Sequence, residues 1–162
     1  MQATFEGLLE ADEAAAVLDD LYERFAQKTA WRVFDDVLPT LLELKARGLR
    51  LAVTSNWDER LRPLLEDLQL TPFFDALVIS IEVGEAKPST AIFQRCADTL
   101  GLPAAAILHV GDSPAEDFLG ARQAGMGAMA IDRRSRLPGE NTLAHLGELL
   151  SRLPVGLDAS YK

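Results

Sequence analysis

The sequence is poor in cysteine, in basic residues and in long apolar runs, and each shortage closes off a class of protein. With Cys96 as the single cysteine no internal disulfide can form, which fits a reducing cytoplasm, and its setting in an amphipathic stretch makes it a small core residue. Lysine and arginine total 16 against 25 acids, for a formal net charge of −9. That balance argues against a nucleic-acid surface, which shows a clustered basic face, and by itself it signals solubility rather than a function. No apolar stretch approaches the ~20 residues of a membrane helix, and no basic segment leads into an apolar run at the N-terminus, so neither a membrane nor a leader is expected. Internal repeats and low-complexity segments are missing as well. What remains is 162 residues, 48% of them hydrophobic, enough for one substantial core.

Apolar spacing along the chain switches repeatedly between helix and strand. Ala14, Val17, Leu18, Leu21, Tyr22 and Phe25 recur at three and four, predicting an amphipathic helix over 11–27. A second helix begins near Asp36, carries Pro39 in its first turn and stops at Gly48. The strand 49–54 follows, Ser55-Asn56-Trp57-Asp58 breaks it, and a helix runs through Leu61, Leu64, Leu65 and Leu68. Another strand lies at 76–79, then a polar loop at 82–88, then a helix from Ser89 containing Ile92, Phe93, Cys96 and Leu100. After the strand 106–111 and its helix come a strand at 128–131 and a last helix from Asn141 through Leu143, Leu146, Leu149 and Leu150. Such alternation predicts a three-layer α/β, Rossmann-like fold with a mostly parallel sheet and right-handed crossovers. The core is expected at 35–153, preceded by residues 1–34 and followed by a loose tail at 154–162.

The stretch from Ala106 to Asp117 is the centre of this arrangement. Ile107, Leu108 and Val110 suit a strand covered on both faces, and Pro114 suits the first turn of the next helix. Asp112 and Asp117 then sit just past the strand's carboxyl end, the edge where open α/β sheets bind ligands. Paired carboxylates there suit Mg²⁺ together with waters and a substrate phosphate. Asp112 as a helix cap and Asp117 as a solvated first-turn acid is the competing reading. In a parallel sheet the same edge also collects Ser55, Asn56 and Lys87. Ser55 offers a hydroxyl and a backbone N–H for a phosphoryl oxygen, and Lys87 a point charge for an anion. Singly, each has a plainer role, as cap, turn former or loop lysine. His109, inside the strand, is expected to be a packed or hydrogen-bonded structural residue rather than a base.

Taken together and in order, Leu51-Ala-Val-Thr-Ser55 with Asn56, Gly84-Glu-Ala-Lys-Pro88 and Gly111-Asp-Ser-Pro-Ala-Glu-Asp117 resemble the second, third and fourth motifs of the haloacid dehalogenase superfamily of hydrolases. Flanking text extends the resemblance over nearly all of 11–135 and to the helical-cap subfamily, with residues 1–34 as the remnant of that cap. The resemblance implies phosphoryl transfer through an aspartyl-phosphate with Mg²⁺, on a small phosphorylated molecule. Ser55 and Asn56 would bind phosphate or substrate, Lys87 would stabilise charge, and Asp112 with Asp117 would place the metal. The Gly-Asp-x-x-x-x-Asp form looks like the phosphatase branch, which makes a dehalogenase the least favoured reading. Trp57 is either substrate-facing or, more plainly, packing.

The family's first motif, an apolar strand ending Asp-x-Asp, is missing from these 162 residues. Neither Phe34-Asp-Asp-Val-Leu-Pro-Thr40 nor Thr4-Phe-Glu-Gly-Leu-Leu9 has the right residues at the right spacing, so the chain reads as starting within the cap. Without that aspartate a covalent mechanism lacks its nucleophile. A non-catalytic folded remnant or interaction module with a vestigial anion and Mg²⁺ site is therefore the alternative to a phosphatase. The missing strand would lie between 49–54 and 106–111. Direct pairing of those two strands is the favoured closure. Insertion from another chain, through a homodimer or strand exchange, comes next, and Gln2 to Leu9 as a substitute strand comes last.

Overall fold

The computed structural model describes residues 17, 20–134 and 139–153. Among the described residues five strands form in chain order, parallel within each of two sheets: β1 (Ala52–Ser55), β2 (Ala76–Ile79), β3 (Leu108–Gly111), β4 (Gly127–Ile131) and β5 (Thr142–Leu143). Side-chain alternation along them feeds two apolar layers. Ala76 and Val78 of β2 and Ala128 of β4 face the helix α4 (Thr90–Leu100), whose Ile92, Phe93, Cys96, Ala97 and Leu100 are buried against them. On the opposite face Ile79 meets Leu41 of α1 (Val37–Ala46) and Leu61, Leu64 and Leu65 of α2 (Leu61–Asp67). The same face continues with Leu44 of α1, Leu143 of β5 and Leu149 of α6 (Leu149–Arg152), against which Leu108, Val110, Met129 and Ile131 pack. The fold is α/β, with parallel strands sandwiched between helices as the alternation of elements required.

Local signals explain most boundaries. Gly48 follows α1 at φ +77°, the left-handed conformation that closes a helix, and the Leu49 N–H donates back to the Leu44 carbonyl at 3.1 Å. Ser89 caps α4 by accepting from the Ala91 N–H. Asp36, which opens α1, does not cap it: its carboxylate accepts from the Leu146 N–H at 2.6 Å and from Arg133 at 3.0 Å, tying the start of α1 to the segment before α6.

The helix expected from Pro114 is present, as a π-helix over Pro114–Leu119 that runs on into α5 (Gly120–Gln123). Two expectations are corrected. The predicted last helix from Asn141 is first a strand, because Thr142 and Leu143 pair with Ala130 and Ile131 and Leu143 is fully buried; helix begins only at Leu146. The sheet, finally, is not continuous. Among the described residues β1 pairs only with β2, and β3 only with β4, so Val53 and Leu108 lie in separate sheets and the favoured direct pairing of β1 with β3 does not occur. The substitute strand Gln2 to Leu9, residues 11–16, 18 and 19 of the predicted helix at 11–27, and the tail at 154–162 lie outside the described residues; 20–25 are helical, as predicted. No described helix is long and apolar enough to cross a membrane.

Cys96 shows what burial does to a reactive group. It sits in the α4 layer at 4% exposure, where desolvation raises its thiol pKa against the opposing hydrogen bond with Thr54. The native protein is therefore expected to show no thiol titre with an aromatic disulfide reagent at neutral pH within the time that unfolding in denaturant releases one equivalent. Immediate reaction of the native protein would contradict that packing.

Candidate functional site

Asn56 follows directly on β1, and its amide is spent on two neighbours. Its Oδ1 accepts from the Lys87 backbone N–H at 2.6 Å, and its Nδ2 donates to the Lys87 carbonyl at 3.0 Å and to Glu116 Oε2 at 3.4 Å. The loop before α4, which contains the cis Lys87–Pro88 bond, is thus clamped onto the end of β1. Next to it, the Trp57 N–H donates to Ser80 Oγ at 3.0 Å, and that hydroxyl donates back to the Trp57 carbonyl at 2.9 Å. Ser80 begins α3 (Ser80–Val83), so two adjacent elements hold the loop after β1 in place. The Trp57 ring packs on Trp31 at 5.1 Å, the plainer of its two expected roles.

Held this way, the Lys87 side chain crosses to the end of β3. Its Nζ lies 2.6 Å from Asp117 Oδ1, with side-chain exposures of 11% and 4% for the pair. Asp117 also accepts from His109 Nε2 at 2.9 Å on the same oxygen and from the Ser113 N–H at 3.0 Å on the other. Burial alone would raise the pKa of Asp117, but the hydrogen bonds from His109, Lys87 and Ser113 and the Lys87 charge outweigh it and hold the carboxyl far below the usual range. Since the carboxylate is ionised, His109 Nε2 must be the donor. The imidazole is packed edge-on to Phe93 at 5.1 Å. His109 is therefore packed and hydrogen-bonded, as expected; its partner, eight residues on, was invisible in the sequence.

Two glycines make the cluster possible. A Cβ on Gly111 would fall inside the Asp117 carboxylate, so only glycine lets the acid fold back against the strand end. A Cβ on Gly120 would stand 2.8 Å from Phe93 and 3.0 Å from the Pro88 Cα, so the π-turn can approach the Lys87 loop only without a side chain there.

The five candidates named from sequence are found in different states. Asn56, Lys87 and Asp117 form one connected network. The Ser55 hydroxyl, half-buried at the end of β1, makes no hydrogen bond to a described residue. Asp112 is exposed and makes no hydrogen bond or ion pair with a described residue. For a divalent cation this is a divided donor set: Asp112 presents an open carboxylate, whereas both oxygens of Asp117 are taken by donors, one of them an ammonium. The described residues contain no group of three or more His, Cys, Asp or Glu placed to hold a metal.

A family model described as haloacid dehalogenase-like hydrolase matches residues 2–125. The chain belongs to that family. It is 36% identical over 155 residues to the human haloacid dehalogenase-like hydrolase domain-containing protein 3, covering 91% of this chain and 62% of that protein. Over 107 residues it is 36% identical to the glyceraldehyde 3-phosphate phosphatase of Methanothermobacter thermautotrophicus, covering 62% of this chain and 45% of the relative. Among solved structures it resembles a haloacid dehalogenase-type phosphatase from Thermococcus onnurineus, with TM-score 0.75 at 26% identity over 93% of this chain and 67% of that one. The chain thus spans less than two thirds of the length of these curated relatives. In family terms, the strand ending at Ser55, the Lys87 loop and the Asp112 to Asp117 turn are the three motif regions recognised in the sequence.

Proposed function

We propose that this chain carries the phosphate- and cation-binding half of a phosphatase-type active site for a small phosphorylated metabolite, with the attacking carboxylate supplied from outside these 162 residues. The carrying observation is the clamp by which Asn56, at the end of β1, delivers Lys87 to Asp117 at the end of β3. In this reading Ser55 donates to a phosphoryl oxygen and Lys87 balances anionic charge on the reacting group. Asn56 fixes where that charge stands; Asp112 would be the carboxylate open to Mg²⁺, and Asp117 would join it only by giving up one of its donors. The metal, when bound, would neutralise phosphoryl oxygens and orient the group for displacement. Residues 1–34 serve as the remnant of a helical cap over the core at 35–153. The relative that is a glyceraldehyde 3-phosphate phosphatase supports the phosphatase class.

One observation favours the alternative, a non-catalytic module with a vestigial site: Lys87 is already neutralised by Asp117. Mg²⁺-dependent phosphate release from an aryl phosphate, together with Mg²⁺ and orthophosphate titrations, separates the two. The expected outcome is measurable binding of orthophosphate that Lys87→Met removes, with little turnover by this chain alone. Robust turnover abolished by Asp112→Ala would overturn the non-catalytic reading and the need for an outside nucleophile. Neither binding nor turnover would overturn the phosphatase reading.

A further inference from the structure

No residue of the helical segment 20–25 is buried, yet the segment is fastened to one place on the core. Every hydrogen bond it makes with described residues beyond 30 involves Trp31, Asp58 or Arg60. The Arg60 guanidinium lies over the Tyr22 ring, 3.2 Å from its centroid, and donates to the Tyr22 carbonyl. The same guanidinium grips Asp58 with two bonds, Nε to Oδ1 at 2.8 Å and Nη2 to Oδ2 at 2.7 Å, while the Tyr22 hydroxyl donates to Asp58 Oδ2 at 3.2 Å. Hydrogen bonding from Arg60 holds the Asp58 carboxyl below its ordinary range against partial desolvation. An aromatic contact runs alongside. Trp31 Nε1 donates to the Phe25 carbonyl at 2.8 Å, and the Trp31 ring meets Phe25 edge-on at 5.5 Å and Trp57 at 5.1 Å.

Trp57, Asp58 and Arg60 all lie within four positions after Asn56. Asp58 Oδ1 also accepts from the Arg60 N–H at 3.1 Å, and the Asp58 carbonyl accepts from the Leu61 N–H at 3.2 Å, which closes the turn into α2. Together with the two Trp57–Ser80 bonds, these contacts leave the short loop 56–60 one position. Asn56 opens that loop and passes its position to Lys87 through two bonds to the Lys87 backbone. The Asp58 and Arg60 side chains stay 23% and 21% exposed. An ion pair this close to solvent adds little to global stability, so its consequence is local.

We propose that Arg60, with Asp58 and Tyr22, is a positioning residue for the Lys87 anion site: it fastens loop 56–60 to the segment 20–25 and, through Asn56, sets where Lys87 stands. The fork geometry of the guanidinium is what the role requires, because one planar group must bond a carboxylate by two edges, reach a carbonyl and cover a ring. The consequence for anion binding rests on the function proposed above. The mechanical link from Arg60 to Lys87 does not, and it has a readout of its own: the Lys87 N–H donates to Asn56 Oδ1 at 2.6 Å, so its exchange with solvent reports whether the clamp is closed.

The test measures amide hydrogen exchange at Lys87 and the affinity for orthophosphate in Arg60→Met, Arg60→Lys and Tyr22→Phe. Arg62→Met, which removes the neighbouring ion pair with Glu82, is the control. Arg60→Met is expected to speed Lys87 exchange by ~tenfold or more and to weaken orthophosphate binding by roughly tenfold. The Ala130 and Asp132 amides, bonded to the Asn141 and Leu143 carbonyls, should exchange as in the wild type. Arg60→Lys should behave like Arg60→Met, since an ammonium keeps the charge but not the fork. Tyr22→Phe keeps the ring and the carbonyl and should stay close to wild type in both measurements. Unchanged Lys87 exchange in Arg60→Met would overturn the proposal. Faster exchange at Lys87, Ala130 and Asp132 alike, or an equal effect of Arg62→Met, would reduce Arg60 to a general structural role and overturn it too. Faster Lys87 exchange with unaltered orthophosphate affinity would overturn the link to the anion site. A wild type that binds no orthophosphate sinks the function proposed above, and Lys87 exchange then decides this inference alone.

Discussion

Asp117→Asn is expected to destabilise the protein by about 3–5 kcal/mol, because it leaves the Lys87 ammonium buried without a counter-charge. Asparagine keeps the shape and an acceptor for the Ser113 N–H, so the loss reports the charge and not a cavity. Lys87→Met combined with Asp117→Asn removes both charges and should recover most of the loss in urea unfolding at neutral pH. Equal destabilisation by the single and double variants would mean that the pair is not the source. The pH dependence carries a definite sign. Asp117 has a folded pKa held below its unfolded value of ~3.9, so the stability it contributes is fully present above that value and is lost as pH falls through the folded pKa. The gap between wild type and Asp117→Asn should stay constant from neutral pH to about pH 4 and narrow only below it. A gap that narrowed between about pH 7 and 5 would mean that the Asp117 carboxylate is not the source of the pH dependence.

Much of this arrangement was legible in the sequence because its signals are local. Gly48, Ser89 and Pro114 mark boundaries through backbone preferences that act over one turn, and the strand-helix alternation fixed the fold class and the edge where Ser55, Lys87 and Asp112 would meet. What escaped depends on partners far away in the chain. Thr142 and Leu143 have a leucine spacing that suits a helix, but the exposed edge of β4 offers Ala130 and Ile131 as ladder partners, and burial of Leu143 decides for strand. Asn56 looked like a ligand or a turn residue, and its use as a clamp on Lys87, 31 positions on, has no sequence signature. Direct closure of β1 on β3 does not occur, and no local signal in the sequence reports which strands lie side by side.

Gly111→Ala is expected to destabilise by about 2–4 kcal/mol, although it adds one methyl group near the protein surface. A Cβ at that position would stand 2.5 Å from the Asp117 Cβ and inside its carboxylate, so Asp117 must rotate out or β3 must move. Rotation strips Lys87, His109 and the Ser113 N–H of their common acceptor within a site that is 3% exposed at Asp117. Movement of β3 instead disturbs the ladder to β4, where Gly111 pairs with Ala130. The first route is the easier one, since a side-chain rotation leaves the backbone ladder intact. A double-mutant cycle with Asp117→Gly separates the routes, because removing that side chain removes the obstacle while leaving the strand as it is. In the Asp117→Gly background, Gly111→Ala should destabilise by less than about 1 kcal/mol. If the methyl group is as damaging there as in the wild type, the strain lies in the β3 backbone, and Gly111 is retained for its chain geometry rather than for room beside Asp117.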